Sequence, residues 1–309
     1  MDDPDLKARR AASFGAAARS YAEHRPSYPD AAVAWILEPV RDRRIVRVLD
    51  LGAGTGRVTE ALQRAEVDVI AVEPDAEMRA VMLERVFGVA VLAGAAEDIP
   101  LPDERVDAVV VGQAFHWFDA ERAYPEIARV LKPGGVLAAM WNAEDVRVPW
   151  VAEYARMIGY EPDDDAAPEP SRGAGAERGV QPEPTNAAGP EAEAARPGGA
   201  RAEAEGSAGA SEPAAAAGPC AAVVPSDPPF ADDPAFEPPV AATFHHFQRR
   251  TADSLVATRA THSAVLVLPE QERAAHLEAV RDFLRSQPET ADGVFELPLI
   301  TTALRTIRR

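Results

Sequence analysis

The hydrophobic pattern in the first half of the chain switches between two kinds of run. Short, continuous apolar stretches occur at 45–51 (IVRVLDL), 67–74 (VDVIAVEP), 89–94 (VAVLAG), 106–113 (VDAVVVGQ) and 134–142 (GGVLAAMWN). Apolar continuity, rather than alternation, marks strands covered on both faces. Before and between them, 31–40, 57–65, 75–85 and 119–131 place apolar residues at helical spacing. Asp119 is the expected N-cap of the last of these, and KPGG is expected to end it. Strands alternating with helices predict a parallel, doubly wound sheet.

Residues 161–235 break this rhythm. They are rich in Ala, Gly, Pro and Glu and nearly devoid of branched apolar side chains, so burial cannot offset their ordering entropy, and a disordered insertion is expected. Periodicity resumes near Phe236. Residues 240–250 suit a strand, and 251–260 suit a short helix with Thr251 as a possible N-cap. Residues 268–287 suit a longer amphipathic helix, and 293–309 a closing strand with the alternation of a sheet edge. These elements are too few for an independent domain. The expected fold is one α/β domain, Rossmann-like, with a mostly parallel seven-stranded sheet and an antiparallel final strand. Its core is 1–160, its insertion 161–235, and 236–309 completes the core.

Charge narrows the partners. The 309-residue chain carries a net −18, of which 161–235, with 15 acidic residues against 4 arginines, contributes −11. The mildly acidic remainder is ill suited to neutralising a phosphate backbone, so no nucleic-acid partner is expected. The single cysteine, Cys220, excludes an internal disulfide or a cysteine-rich metal site, and no metal site is expected. The acidic start, MDDPDLKARR, does not read as a signal peptide, and no run approaches the roughly 20 apolar residues of a membrane span. A cytoplasmic protein with no membrane association is expected.

The chemistry concentrates in VLDLGAGTGRVTEAL, 48–62. Gly52, Gly54 and Gly56 follow a strand and open a helix, letting a ligand lie against the backbone. The spacing G-x-G-x-G differs from the dinucleotide fingerprint G-x-G-x-x-G, whose last glycine would fall at Arg57, and no Lys-Ser/Thr follows as in a P-loop. Asp50, at the strand end, would repel a pyrophosphate and suits a cationic ligand. Glu73 ends the next strand, 17 residues past Gly56, where an acid accepts hydrogen bonds from ribose hydroxyls. A ligand with a ribose, no phosphate and a cationic end fits S-adenosylmethionine. The bland readings, a strand-end cap for Asp50 and a solvated loop acid for Glu73, stay open.

With these stretches, and with VIAVEPDAEM, GAAEDIPLPDERVDAVVVGQAFHWF and EIARVLKPGGVLAAMWN, residues 10–160 resemble a class I S-adenosylmethionine-dependent methyltransferase. The resemblance is to the small-molecule group of ubiquinone/menaquinone-type and trans-aconitate-type enzymes. It implies that Asp50 and the Gly52–Gly56 backbone line the methionine part, that Glu73 holds the ribose, and that Pro74 and Met78 flank the adenine. It places residues 95–98 along the adenine edge. Ala95 stands where the family often has an acid, so Ala96, Glu97 and Asp98 become the candidates there. Gln113 would face the methionine moiety.

Methyl transfer is an in-line displacement that depends largely on alignment, and it needs a base only when the nucleophile must first lose a proton. In QAFHWF, 113–118, His116 is the general-base candidate, and Phe115, Trp117 and Phe118 would wall the pocket. A structural histidine beside an aromatic core patch is the alternative. Tyr21, Arg25 and Tyr28 would fold over cofactor or acceptor, or else pack as a surface arm. QAFH replaces the Asn/Asp-Pro-Pro-aromatic run of amine methyltransferases acting on bases. The expected activity is methyl transfer to a small-molecule acceptor. The rivals are a non-catalytic S-adenosylmethionine-binding regulatory module and, less favoured by the glycine spacing, an NAD-dependent oxidoreductase. Nothing in the sequence fixes the oligomeric state.

Overall fold

The computed structural model describes residues 22, 25–158, 233–266 and 268–309. Expectations for Tyr21, for Cys220 and for residues 161–232 of the insertion lie outside these residues. The described elements run α1 (Asp30–Leu37), β1 (Arg47–Leu51), α2 (Arg57–Arg64), β2 (Asp68–Val72), α3 (Ala76–Arg85), β3 (Ala90–Leu92) and β4 (Val106–Gly112). They continue with α4 (Ala120–Val130), β5 (Leu131–Glu144), α5 (Pro149–Met157), β6 (Val240–Arg250), α6 (Ala252–Ala260), α7 (Ser263–Leu266), α8 (Glu270–Ser286) and β7 (Phe295–Ile307). One-turn 3₁₀ helices cover Glu38–Val40 and Phe115–Trp117.

The sheet has seven strands in the order β3-β2-β1-β4-β5-β7-β6. The first five pair in parallel, while β7 runs antiparallel to both β5 and β6. The α/β, mostly parallel sheet with an antiparallel last strand is as expected. The final strand corrects one reading. β7 lies inside the sheet, and β6 is the edge. The alternation read from 293–309 is the inside/outside pattern of an antiparallel strand, which an interior position also shows when one neighbour face is only partly covered.

Strand alternation explains the two apolar layers. Val48, Val110, Ala138, Met140 and Ala303 face α1 and α2, whereas Leu49, Leu51, Val109, Val111, Leu137, Ala139 and Leu304 face α4. Both sets are buried, hence the continuous apolar strands. A third cluster joins α5 to the C-terminal elements. Trp150, Val151 and Tyr154 pack on Leu255, Phe283, Leu284 and Leu297, with Trp150 meeting Phe295 edge-on at 5.7 Å. Helix α5, which the pattern reading missed, therefore bridges the two halves of the sequence.

Other boundaries shifted for local reasons. KPGG does not sit beyond the helix as a bare terminator. β5 already begins at Leu131, and the register jumps between Leu131 and Val136, so the glycines form an irregularity within the strand. Thr251 caps α6 as expected, in a reciprocal pair with Ser254. Asp119 occupies the N-cap position of α4 without a side-chain cap bond. Its own N–H donates to Glu97 Oε1 at 2.8 Å.

Candidate functional site

The strand order places the crossover between β1 and β4, and the carboxyl ends of those strands open where an α/β sheet holds its ligand. A cavity of about 280 Å³ lies there. It is lined on one side by Gly52–Thr55, Arg57 and Val58, and below by Gly112 and Gln113. Its other walls are Arg25, Pro26 and Tyr28, the end of β5 from Asn142 to Glu144, and Thr258, His262 and Leu299.

All three loop glycines have positive φ: +68° at Gly52, +57° at Gly54 and +93° at Gly56. At Gly56 a side chain would also strike Val86 Cγ2 at 2.9 Å and Met82 at 3.1 Å, because α2 starts directly against α3. Gly54 differs. A Cβ there would meet only Met78 Sδ, at 3.7 Å, so the space beside it is open for a ligand. The loop is tied to β2 by Gly52 N–H and Ala53 N–H, both donating to Val72 O.

Glu73 completes that tie. It is buried, its Oε2 accepts from Gly54 N–H at 2.9 Å, and its Oε1 accepts from Asp75 N–H at 2.9 Å. Burial pushes its carboxyl above the ordinary glutamate value, against those two bonds. Asp50 lies one layer deeper. As the strand neighbour of Val48 on the α2 face, it is fully buried, and its Oδ2 accepts from the Thr59 hydroxyl at 2.5 Å. Its Oδ1 has no hydrogen-bond partner among the described residues. Burial pushes its carboxyl up to about 7, with the Thr59 bonds acting against this and Glu73 adding to it.

Gln113 is the second distinctive position. It follows β4 with φ +58°, a left-handed conformation costing a non-glycine residue about 1–2 kcal/mol. Two bonds hold it there: its N–H donates to Met140 O at 3.0 Å, and its Nε2 donates to Asn142 O at 2.9 Å. Asn142 is itself fixed. Thr301 donates to Asn142 Oδ1 at 2.5 Å, which leaves the Thr301 oxygen to accept from His246 Nε2 at 3.0 Å. Asn142 Nδ2 then donates to Ser27 O at 3.2 Å. One chain of hydrogen bonds thus runs from edge strand β6 through β7 and β5 to the segment covering the cavity. Burial, and secondarily His245, push His246 down to about 4, which keeps it neutral in this role. Strain held at the mouth of a cavity is a recognised mark of a ligand site.

The structure sorts the sequence candidates into three groups. Gly52, Gly54, Gln113, Arg25 and Tyr28 line the cavity. Glu73 ties the loop from behind, Gly56 packs against α3, and Asp50 lies buried outside the cavity with its bond to Thr59 of α2. The others lie elsewhere. Pro74 and Asp98 are exposed, Met78 and Ala96 are buried in packing, and Glu97 binds the N-cap backbone of α4. Phe115 is buried against Phe118 and Tyr124, while His116 is exposed, its ring 4.7 Å from that of the half-buried Trp117; none of these three lines the cavity. Sequence reading missed Asn142, Glu144, Thr258 and His262. Asn142 had a usable signal, a polar residue ending an apolar strand in AAMWN. Thr258 and His262 had none, since only the tertiary fold brings α6 to this mouth.

No helix among the described residues is long and apolar enough to cross a membrane. Residues 49–139 match a family model described as a methyltransferase domain. An uncharacterized methyltransferase of Mycobacterium tuberculosis is 50% identical over 151 residues, covering 49% of this chain and 60% of the relative. A Schizosaccharomyces pombe protein, also named an uncharacterized methyltransferase, is 40% identical over 139 residues, covering 45% and 55%. The chain thus spans about 60% of the length of the mycobacterial relative and less of the yeast one. A solved structure from Anaeromyxobacter dehalogenans, named as a type II methyltransferase, is 22% identical. It covers 92% of this chain and 97% of its own, with a TM-score of 0.51, and shares the fold. Residues 49–139 are thus similar to a methyltransferase domain, and the seven-stranded α/β fold is shared with the Anaeromyxobacter structure.

Proposed function

We propose that the protein transfers a methyl group from S-adenosylmethionine to a small-molecule acceptor. The observation that carries this reading is the glycine loop. Three left-handed glycines at alternate positions expose backbone to the cavity at Gly54, and Glu73 is clasped beneath them at the end of the adjacent strand. The acids behind this loop, Glu73 and the deeper Asp50, disfavour a pyrophosphate and suit a ribose and a sulfonium. The residues that would hold the donor are Gly52 to Gly54, Glu73 and Gln113, and the chemistry the donor supplies is an activated methyl group on sulfur. The chain's own contribution is alignment. Gln113 and Asn142 are locked by the bonds described above, and Tyr28 packs its ring against Gly112, where any Cβ would fall 2.9 Å from its hydroxyl. The cavity size and the Arg25–Tyr28 wall over it support a small acceptor rather than a macromolecule.

Calorimetric titration with S-adenosylhomocysteine and with NAD tests the reading. Binding of the first, weakened at least tenfold by Gly54→Ala, is the expected result. Binding of NAD without S-adenosylhomocysteine would overturn it in favour of the oxidoreductase.

A further inference from the structure

Among the described residues, the titratable side chains lining the cavity are Arg25, Tyr28, Arg57, Glu144 and His262. A methyl acceptor that must first lose a proton needs a base among them. His116, the base read from the sequence, is exposed and lies outside this lining. The arginines hold their protons at any working pH, and a neutral tyrosine carries its own. His262 is already committed. Its Nδ1 accepts from Arg259 Nη1 at 3.0 Å, so the neutral ring keeps its hydrogen on Nε2. Burial, with Arg25 and Arg259 adding to it, pushes His262 down to about 3, so it takes up no second proton near neutrality. Glu144 remains. It ends β5, is half-buried, and its carboxylate makes no hydrogen bond or ion pair with the described residues. The charges that reach it through space are those of Arg250 at the end of β6 and Arg259 on α6, with buried Tyr154 of α5 also close. Asp145, next along the chain, is engaged by Arg147 and His245 instead. Glu144 also stands out from the cavity floor. Gly112 is level with Met140 in the β4–β5 pairing, and four further residues carry β5 about 13 Å beyond that level. Gln113 marks the donor side of the cavity, and Glu144 the side left for the acceptor.

We propose that Glu144 is the general base of the reaction and that the acceptor presents a hydroxyl, held between the Glu144 carboxylate and the Nε2–H of His262. The inference rests on the methyltransferase reading and deepens it by naming the accepting atom. A hydroxyl oxygen has two lone pairs. One accepts from His262 and the other is left to attack, while the hydroxyl hydrogen points to Glu144. An amine has a single lone pair, for which His262 would compete with the methyl group. A carboxylate would set charge against charge at Glu144. As the hydroxyl oxygen bonds to the methyl carbon, its proton passes to Glu144, and the carbon–sulfur bond breaks with its electron pair left on sulfur. The sulfonium becomes a thioether and the hydroxyl an ether. Glu144, only half-buried, then returns the proton to water.

The full chain, saturated with S-adenosylhomocysteine, is titrated with phenol, catechol, 4-nitrophenol and 1-octanol and with their methyl ethers. Transfer from S-adenosylmethionine is then measured to the same hydroxyl compounds and to aniline, octylamine, benzoate and octanoate. The expected result is that at least one hydroxyl compound binds tenfold or more tightly than its ether and is methylated on oxygen faster than any amine or acid. Glu144→Gln removes that binding preference and leaves S-adenosylhomocysteine affinity within threefold. It lowers kcat on un-ionised hydroxyls about 100-fold or more, but less than about tenfold on 4-nitrophenol at about pH 8.5, where that acceptor has already lost its proton. If no hydroxyl compound outbinds its ether, or if an amine or acid is methylated in preference, the inference fails. A Glu144→Gln rate within threefold of the parent, or an equal loss on ionised and un-ionised acceptors, defeats the base role. If the variant instead weakens S-adenosylhomocysteine tenfold, Glu144 serves the donor and the inference fails too. Should Glu144→Gln not fold, Glu144→Asp decides by the same comparisons. A protein that does not bind S-adenosylhomocysteine at all overturns the parent reading, a distinct outcome.

Discussion

Asp50→Asn separates a buried charge from a buried shape. The Asp50 carboxyl is fully enclosed beneath the glycine loop, and burial raises its pKa from 3.8 to about 7. Below about pH 4, folded and unfolded chains both hold the proton, and burial of this group carries no charge penalty. As pH rises, the unfolded chain releases its proton first, so folding loses stability progressively until the folded carboxyl ionises near 7. Each pKa unit corresponds to about 1.4 kcal/mol, and the span of about three units to about 4 kcal/mol. Asparagine preserves the shape, still accepts from Thr59, and carries no charge at any pH. The stability of Asp50→Asn relative to the parent is therefore expected to rise by about 4 kcal/mol between pH 4 and pH 8, all of it within the window from 3.8 to 7. Taking the difference cancels Asp107 and Asp145, whose carboxyls are held below their usual value and act in the opposite sense. Urea unfolding followed by circular dichroism at pH 4.5, 6 and 8 measures it. A difference that stays constant to within about 1 kcal/mol, or that falls with pH, would refute the reasoning.

Gly54 and Gly56 are expected to divide binding from stability. Gly54→Ala meets open space and incurs only the left-handed penalty of about 1–2 kcal/mol, so thermal melting should shift modestly while S-adenosylhomocysteine affinity falls at least tenfold. Gly56→Ala adds a clash with Val86 and Met82 worth roughly 1–3 kcal/mol more, and melting should drop further. Equal melting shifts would contradict the packing argument. Thr301→Val leaves Asn142 Oδ1 and His246 Nε2 without their shared partner and should cost about 1–3 kcal/mol in urea unfolding. A change under about 0.5 kcal/mol would show the network to be slack.

Which parts of this molecule were legible in its sequence follows from the range of the interactions involved. The parallel strands announced themselves because Val106 to Val111 are buried on both faces, and the resulting apolar run needs no tertiary knowledge to see. The glycine loop was legible for the same local reason, since Gly52, Gly54 and Gly56 each need a positive φ set within the loop. The opposite wall was not. Thr258 and His262 reach the cavity only because α5 and α8 pack α6 against β7, through contacts such as Trp150 with Phe295 that span well over a hundred residues of chain. His116 shows the converse case. Its neighbours looked like a pocket lining, yet the 3₁₀ turn Phe115–Trp117 rotates Phe115 into the core and His116 to the surface. A three-residue turn has no period from which to read that rotation. Asp50 was located correctly at the strand end, but the strand's alternation places it on the α2 face rather than in the cavity.

The central claim is catalysis, and label transfer tests it most directly. The purified chain is incubated with S-adenosylmethionine carrying a tritiated methyl group and the small-molecule fraction of a cell extract, alongside Gly54→Ala. The account predicts label in extractable small molecules, together with S-adenosylhomocysteine, and a strong loss of both in the variant. S-adenosylmethionine binding with no label transferred, or label confined to macromolecules, would contradict it.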